Sequence, residues 1–221
     1  FNDKEVEKER GGKWYQLSSA DSINSGRLVP QMLYYVYADV KLLENGEIED
    51  GEKINITVPT GNFGNILAAY FAKQMGLPVG RLICASNDNK VLYDFFQTGI
   101  YDRKREFILT SSPSMDILIS SNLERLIYLS NGCDAAKTRE LMEELTRDGK
   151  YTVTDDLRER LADFSGGYAT QEARAAELKR LFDDTGYMIN THTGVAHCVY
   201  RKHEKEQNDK AKTEIASTAR Q

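Results

Sequence analysis

The residues best suited to chemistry lie in one short run, Thr60-Gly61-Asn62-Phe63-Gly64-Asn65. Gly61 and Gly64 leave the backbone bare, so an anion can approach main-chain N–H groups without meeting a side chain, and both can take φ > 0. Asn62 and Asn65 add amide donors. Ahead of the run, Ile54, Ile56 and Val58 alternate with polar residues and are β-branched, which reads as a strand. Behind it, Ile66, Leu67, Ala69, Tyr70 and Phe71 form the apolar surface of a helix. The glycines thus sit at a strand-to-helix junction, where a helix's first N–H groups and its dipole favour negative charge. The pattern is neither the glycine loop closed by Lys-Ser or Lys-Thr nor the three-glycine dinucleotide spacing. A single phosphate, as on pyridoxal phosphate or flavin mononucleotide, suits it better than a pyrophosphate. The plainer alternative is a βα turn that simply needed glycine.

Other polar residues are open to two readings each. Arg27, shortly after Asn24, either grips a second anion through its guanidinium fork or is a solvated arginine at a helix start. His192, between Thr191 and Thr193, is a general base or a turn histidine that bonds only locally. His197 and His203 fall on a predicted helix and need no special role. Asp116 and Glu124, polar members of an apolar stretch, mark a partner contact or a buried ion pair. Cys84, Cys133 and Cys198 are too few and too dispersed for a disulfide framework or metal cluster, and point to a reducing, cytoplasmic setting.

Composition narrows the class. With 221 residues, 40% hydrophobic and 29% charged, the chain can build a substantial core. A net charge of −5 and a pI near 5.4 speak against a nucleic-acid binder. No apolar run approaches the roughly 18 residues of a membrane span, and the charged opening FNDKEVEKER is no signal peptide.

The elements that must position these residues follow in order. A charged helical lead-in is predicted over 1–13 and a short strand at Trp14, Tyr15 and Leu17. Ser18 to Asn24 offer N-caps for a helix carrying Leu28, Met32, Tyr35, Val36, Val40 and Leu43, with Pro30 in its first turn or kinking it. Past the glycine loop and its helix, Arg81 to Ala85 reads as a second strand. Ser86 to Asn89 then cap a helix stopped by Gly99, and Glu106 to Leu109 reads as a third strand. Strands separated by helices imply parallel βαβ units. Met115 to Leu129 reads as a helix buried on most sides, and Thr213 to Ala219 as a strand meeting a turn. The expected architecture is α/β, a parallel sheet flanked by helices built from 1–133 and 187–221, with a helical insertion over 134–186. Lacking an initial methionine, the chain reads as the middle of a longer one.

Five segments then carry a resemblance: SSADSINSGRLVPQMLYYVYA, VPTGNFGNILAAYFAKQMGLP, ASNDNKVLYDFFQTG, SPSMDILISSNLERL and the closing IASTA. In this order they resemble threonine synthase in its longer form, over nearly the whole chain and least between Asp134 and Thr185. The resemblance implies a pyridoxal-phosphate enzyme of the tryptophan synthase beta-like fold, here part of its large domain. The implied reaction converts O-phospho-L-homoserine and water to L-threonine and phosphate. It implies that Gly61, Asn62, Phe63, Gly64 and Asn65 hold the cofactor phosphate, and that Thr218 bonds the pyridine nitrogen. Asn24 and Arg27 match the segment near the substrate, with Arg27 on its phosphate. The family's Schiff-base lysine lies upstream, in an N-terminal domain that these residues lack. The chain alone is therefore expected to be inactive, with that domain as its partner. Arg220-Gln221 departs from the family's continuation after Ser217-Thr218-Ala219. Two competing readings are a non-catalytic phosphometabolite-binding module and a flavin mononucleotide protein.

Overall fold

The computed structural model describes residues 23–218. The lead-in helix over 1–13 and the strand at Trp14 to Leu17 lie outside those residues. The chain opens with α1 (Ser25–Leu28), a 3-10 turn (Val29–Gln31) and α2 (Met32–Glu44). The interruption falls at Pro30, which lacks the N–H a continuous helix would use. Then come β1 (Ile54–Pro59), α3 (Gly64–Gln74), β2 (Val79–Ser86), α4 (Val91–Thr98) and β3 (Ile100–Asp102). After a 3-10 turn (Pro113–Met115) follow α5 (Leu123–Ser130), α6 (Ala135–Asp148), β4 (Lys150–Thr152), α7 (Asp155–Arg160), β5 (Phe164–Tyr168), α8 (Gln171–Thr185) and α9 (Thr191–Thr218).

The central sheet is parallel, in the order β1-β2-β5, and β3 pairs with β4 in a separate antiparallel ribbon. Alternation along β2 assigns the faces. Leu82 and Cys84 join Ile56, Val58 and Phe164 in one core, beneath α3 and α4. Ile83 and Ala85 join Val195, Ala196, Cys198 and Val199 of α9 in another. A parallel sheet covered on both faces is the arrangement its two apolar sides require. Burial of Cys84 pushes its thiol up to about 12, so it acts as a small apolar side chain.

Five expectations are corrected. The third strand is not Glu106 to Leu109 but β5, inside the supposed helical insertion, so 134–186 is not wholly helical and part of it completes the main sheet. β5 reads FSGGY and hides its strand character because its neighbours demand glycine. A Cβ on Gly166 would lie 3.0 Å from the Tyr93 backbone, and one on Gly167 would lie 2.4 Å from Val199. Residues 106–109 are instead an irregular segment tied to Asn89, whose side chain accepts from the Ile108 N–H (2.9 Å) and donates to the Ile108 carbonyl (2.7 Å). Asn89 therefore holds that loop, and α4 begins without a side-chain cap. Met115 to Leu129 is helical only at its ends, because the polar stretch Ser120-Ser121-Asn122 interrupts it. Finally, α9 runs through Thr218 where a strand was expected. Its later residues are rich in Lys, Glu, Gln and Ala, with no glycine or proline to stop the helix.

α8 and α9 are locked by Glu177. It pairs with His197 Nδ1 at 2.7 Å, accepts from the Arg180 guanidinium at 2.7 Å, and meets Arg201 at 3.4 Å. Arg180 foremost, then His197 and Arg201, hold its carboxyl at about 2 against an ordinary 4.5. A carboxylate depressed by folding stabilises above its unfolded pKa and loses that contribution as pH falls through the folded one. Melting temperature is therefore expected to fall between pH 4.5 and 2 more steeply in the parent than in Glu177→Gln. At neutral pH the variant is expected to be less stable by about 1–2 kcal/mol. Parallel pH–melting curves would refute this lock.

Candidate anion-binding site

β1 ends where the Thr60 N–H donates to the Ala85 carbonyl (2.8 Å) and its hydroxyl turns back to Val58 O (2.7 Å). The chain then turns through Gly61, Asn62 and Phe63 into α3. The left-handed residue of this turn is Phe63 (φ 65°, ψ 5°), and neither glycine has positive φ. A non-glycine residue in that region costs about 1–2 kcal/mol. Burial of the Phe63 ring offsets this, with its centroid 5.6 Å from Phe164 and 6.1 Å from Phe96. Gly61 is glycine for a further reason. A Cβ there would lie 2.5 Å from the Ser114 carbonyl oxygen and 3.3 Å from Met115 Cα. The bare backbone thus serves the approach of another loop, beyond any ligand.

The first turn of α3 has no side-chain cap, and its N–H groups have no intrahelical acceptor. They face a cavity of about 630 Å³ lined by residues 58–66, with Arg27, Gln31 and Tyr34 on one side and Pro113, Ser114 and Ile117 on the other. Among the described residues no carboxylate stands in that wall. Positive helix end, guanidinium and absent acid together suit a phosphate monoester.

The structure brings Gly61, Asn62, Phe63, Gly64, Asn65 and Arg27 to this one space. It also redistributes their roles. The Asn65 side chain is consumed internally: it accepts from Tyr35 Oη (2.5 Å), and its amide donates to Gln31 Oε1 (3.0 Å). Only its main-chain N–H remains for an anion. Gln31 in turn donates to the Arg27 carbonyl (2.7 Å), so a short relay spans from α3 to the arginine. Burial raises the Tyr35 hydroxyl above the usual phenol range, leaving it a fixed donor. Asn24 caps α1, accepting from the Gly26 N–H at 2.9 Å, and does not reach the cavity wall. Thr218 is the last described residue of α9, and its side chain lies outside the description.

His192 stands behind the cavity. Its Nε2 is 2.5 Å from Ser114 Oγ and accepts from the Ser114 N–H at 3.3 Å. Among the described residues Asp116 forms no ion pair and instead anchors a hydrogen-bond network. It accepts from Asn87 (2.7 Å), Asn89 (3.1 Å) and both the N–H and hydroxyl of Thr110 (2.8 Å each). This network fixes the 106–116 loop, and hence Ser114 against Gly61. Gln31, Tyr35 and Ser114 escaped the sequence reading. The only signal for Gln31 was its place one helical turn after Arg27.

An α/β layer whose strand-to-helix loop leaves an uncapped cup, with no carboxylate among the described residues of its wall, has the form of a domain suited to a phosphorylated cofactor. The chain belongs to the threonine synthase family. It is 44% identical over 185 residues to threonine synthase-like 1 of Macaca fascicularis, a match covering 83% of this chain and 25% of that protein. It is 36% identical over 226 residues to threonine synthase of Saccharomyces cerevisiae, covering 96% of this chain and 42% of that one. Among solved structures, the PLP-bound threonine synthase of Brucella melitensis superposes with a TM-score of 0.78 at 40% identity, over 84% of this chain and 39% of that chain. The chain therefore spans between a quarter and some two-fifths of these relatives' length. No family model matches it. Among the described residues no helix is long and apolar enough to cross a membrane, and no side-chain group could hold a metal ion.

The Gly61 geometry has a measurable consequence. Gly61→Ala places a methyl group against the Ser114 carbonyl, so it is expected to lower stability by about 1–3 kcal/mol as the loop is pushed aside. It should weaken inorganic phosphate binding as well, because the cup is displaced. Denaturation midpoint and calorimetry equal to the parent would refute the contact.

Proposed function

We propose that this chain is the phosphate-gripping part of a pyridoxal-phosphate-dependent threonine synthase, a lyase-type enzyme. In this reading O-phospho-L-homoserine and water become L-threonine and phosphate. The observation that supports it most is that the uncapped start of α3 and Arg27 open into one cavity whose wall, among the described residues, holds no carboxylate. The reaction involves two phosphate monoesters, one on the cofactor and one on the substrate. The cavity offers two kinds of anion-binding group to match.

Main-chain N–H groups from Gly61 to Asn65 hold the cofactor phosphate, at the positive end of α3. Arg27 holds the substrate phosphate, which is also the leaving group, and Asn24 fixes the short helix that carries it. Pyridoxal phosphate, when bound, supplies the electron-withdrawing ring that acidifies hydrogens near the substrate's amine-bearing carbon. By resemblance Thr218 bonds the ring nitrogen. A neutral hydroxyl there leaves that nitrogen less protonated than a carboxylate would.

Among the described residues no lysine stands in the cavity wall. The amine that anchors the cofactor is assigned to the N-terminal domain of the same polypeptide, and residues 1–221 alone are read as inactive. The uncoupled Cys84, Cys133 and Cys198 fit a reducing, cytoplasmic setting.

The test uses protein expressed from the full coding region. It is expected to bind pyridoxal phosphate and to release phosphate from O-phospho-L-homoserine. Arg27→Gln should raise KM about 10–100-fold, the worth of one charge-assisted contact, with cofactor absorbance unchanged. An unaltered KM would remove Arg27 from the substrate. Flavin absorbance without pyridoxal phosphate affinity would overturn the whole reading.

A further inference from the structure

We propose that Asn122 and Arg125 are positioning residues for the anion cup, which set the direction of its main-chain N–H groups and tie it to the helix bearing Arg27. The proposal rests on reading the cup as a phosphate site. Its evidence lies behind the cup, on the side away from the cavity.

Two consecutive carbonyls of the loop are pinned from that side. Asn122 donates to the Asn62 carbonyl twice, from its main-chain N–H (3.0 Å) and from Nδ2 (2.9 Å). Ser120 Oγ donates to the Gly61 carbonyl at 2.8 Å. A peptide unit is planar and trans, so each carbonyl points opposite to the N–H of the following residue. Pinning the carbonyls of Gly61 and Asn62 therefore turns the N–H groups of Asn62 and Phe63 the other way. The cavity opens on that other side: residues 61–65 line it, and Ser120 and Asn122 do not. Both donors are buried, Asn122 with 1% of its surface exposed, so water does not take their place.

Arg125 completes the device. One arm of its guanidinium donates to Asn122 Oδ1, which orients that amide so that Nδ2 faces Asn62. The other arm donates to the Ile23 carbonyl at 2.5 Å, next to Asn24, the N-cap of the helix containing Arg27. One rigid fork thereby fixes the cofactor-phosphate cup and the substrate-phosphate arginine in a common frame. A lysine, a point charge on a flexible stem, would not hold both.

A merely structural Asn122 would affect stability alone, whereas a positioning Asn122 must affect discrimination for phosphate. In protein from the full coding region, we would measure dissociation constants for pyridoxal phosphate and for pyridoxal, which lacks the phosphate. Calorimetry with inorganic phosphate supplies a second readout. The parent is expected to prefer the phosphorylated form. Asn122→Ser should lose about tenfold of that preference, the usual scale for a residue orienting a ligand-binding group, while pyridoxal affinity changes little. Arg125→Lys should shift the ratio in the same direction and raise KM for O-phospho-L-homoserine more than it lowers kcat. If Asn122→Ser fails to fold, Ser120→Ala removes only the Gly61 contact and carries the same ratio test. A parent-like ratio in folded variants with lowered melting temperatures would overturn the positioning role. Absence of any preference in the parent would instead overturn the phosphate reading beneath it.

Discussion

A helix that starts in the interior with no side chain on its first N–H groups is an unfinished structure, and α3 is such a helix. A Ser, Thr or Asp cap would be worth about 1 kcal/mol. The sequence forgoes this and places Phe63 at the cap in a left-handed conformation at similar further cost. These penalties are outweighed by burial. Phe63, Ile66, Leu67, Ala68 and Ala69 are all at most 1% exposed, and each large side chain among them contributes about 1.5–3 kcal/mol. The apolar face of α3 thus holds its polar end open and fixed in direction.

What surrounds that end is arranged to keep it so. β2, at the centre of the sheet, sends alternate residues to the α3–α4 layer and to α9, which fixes both layers relative to β1 and the loop. The loop's carbonyls are engaged by Ser120 and Asn122, its Asn65 side chain by Tyr35 and Gln31, and its Gly61 face by Ser114. Each contact uses a group that could otherwise compete for the helix end. Polar atoms are spent on orienting the loop, and fixing dipoles in direction beforehand is how preorganised anion sites gain strength.

Much of this was legible in the sequence for a stated physical reason. β1, the glycine run and α3 announce themselves because the apolar period switches from two to 3.6 across a pair of glycines. The cap at Asn24 holds because it is a local side-chain-to-backbone bond. What failed was non-local. β5 escaped because its glycines answer to Tyr93 and Val199, residues about 70 and 30 positions away in sequence. The left-handed residue was assigned to glycine by intrinsic preference, while tertiary packing put it at Phe63. Asn65 looked like a ligand donor because nothing in its neighbourhood reveals Tyr35, which reaches it from α2.

The overall charge of −5 appears at odds with a site for dianions. Distance resolves this. At physiological salt the Debye length is about 8 Å, so scattered surface carboxylates contribute little inside the cavity. The helix terminus and guanidinium border the cavity itself, with no acid among the described residues of its wall. Many of the acidic groups are also locally neutralised: Glu177 by Arg180 and Arg201, Asp163 by Lys73, Asp94 by Arg105, and Asp183 by Lys179. The far field of the protein is therefore a poor guide to its ligand. The groups that line the cup decide the matter, and among the described residues these include a helix N-terminus and a guanidinium and no carboxylate.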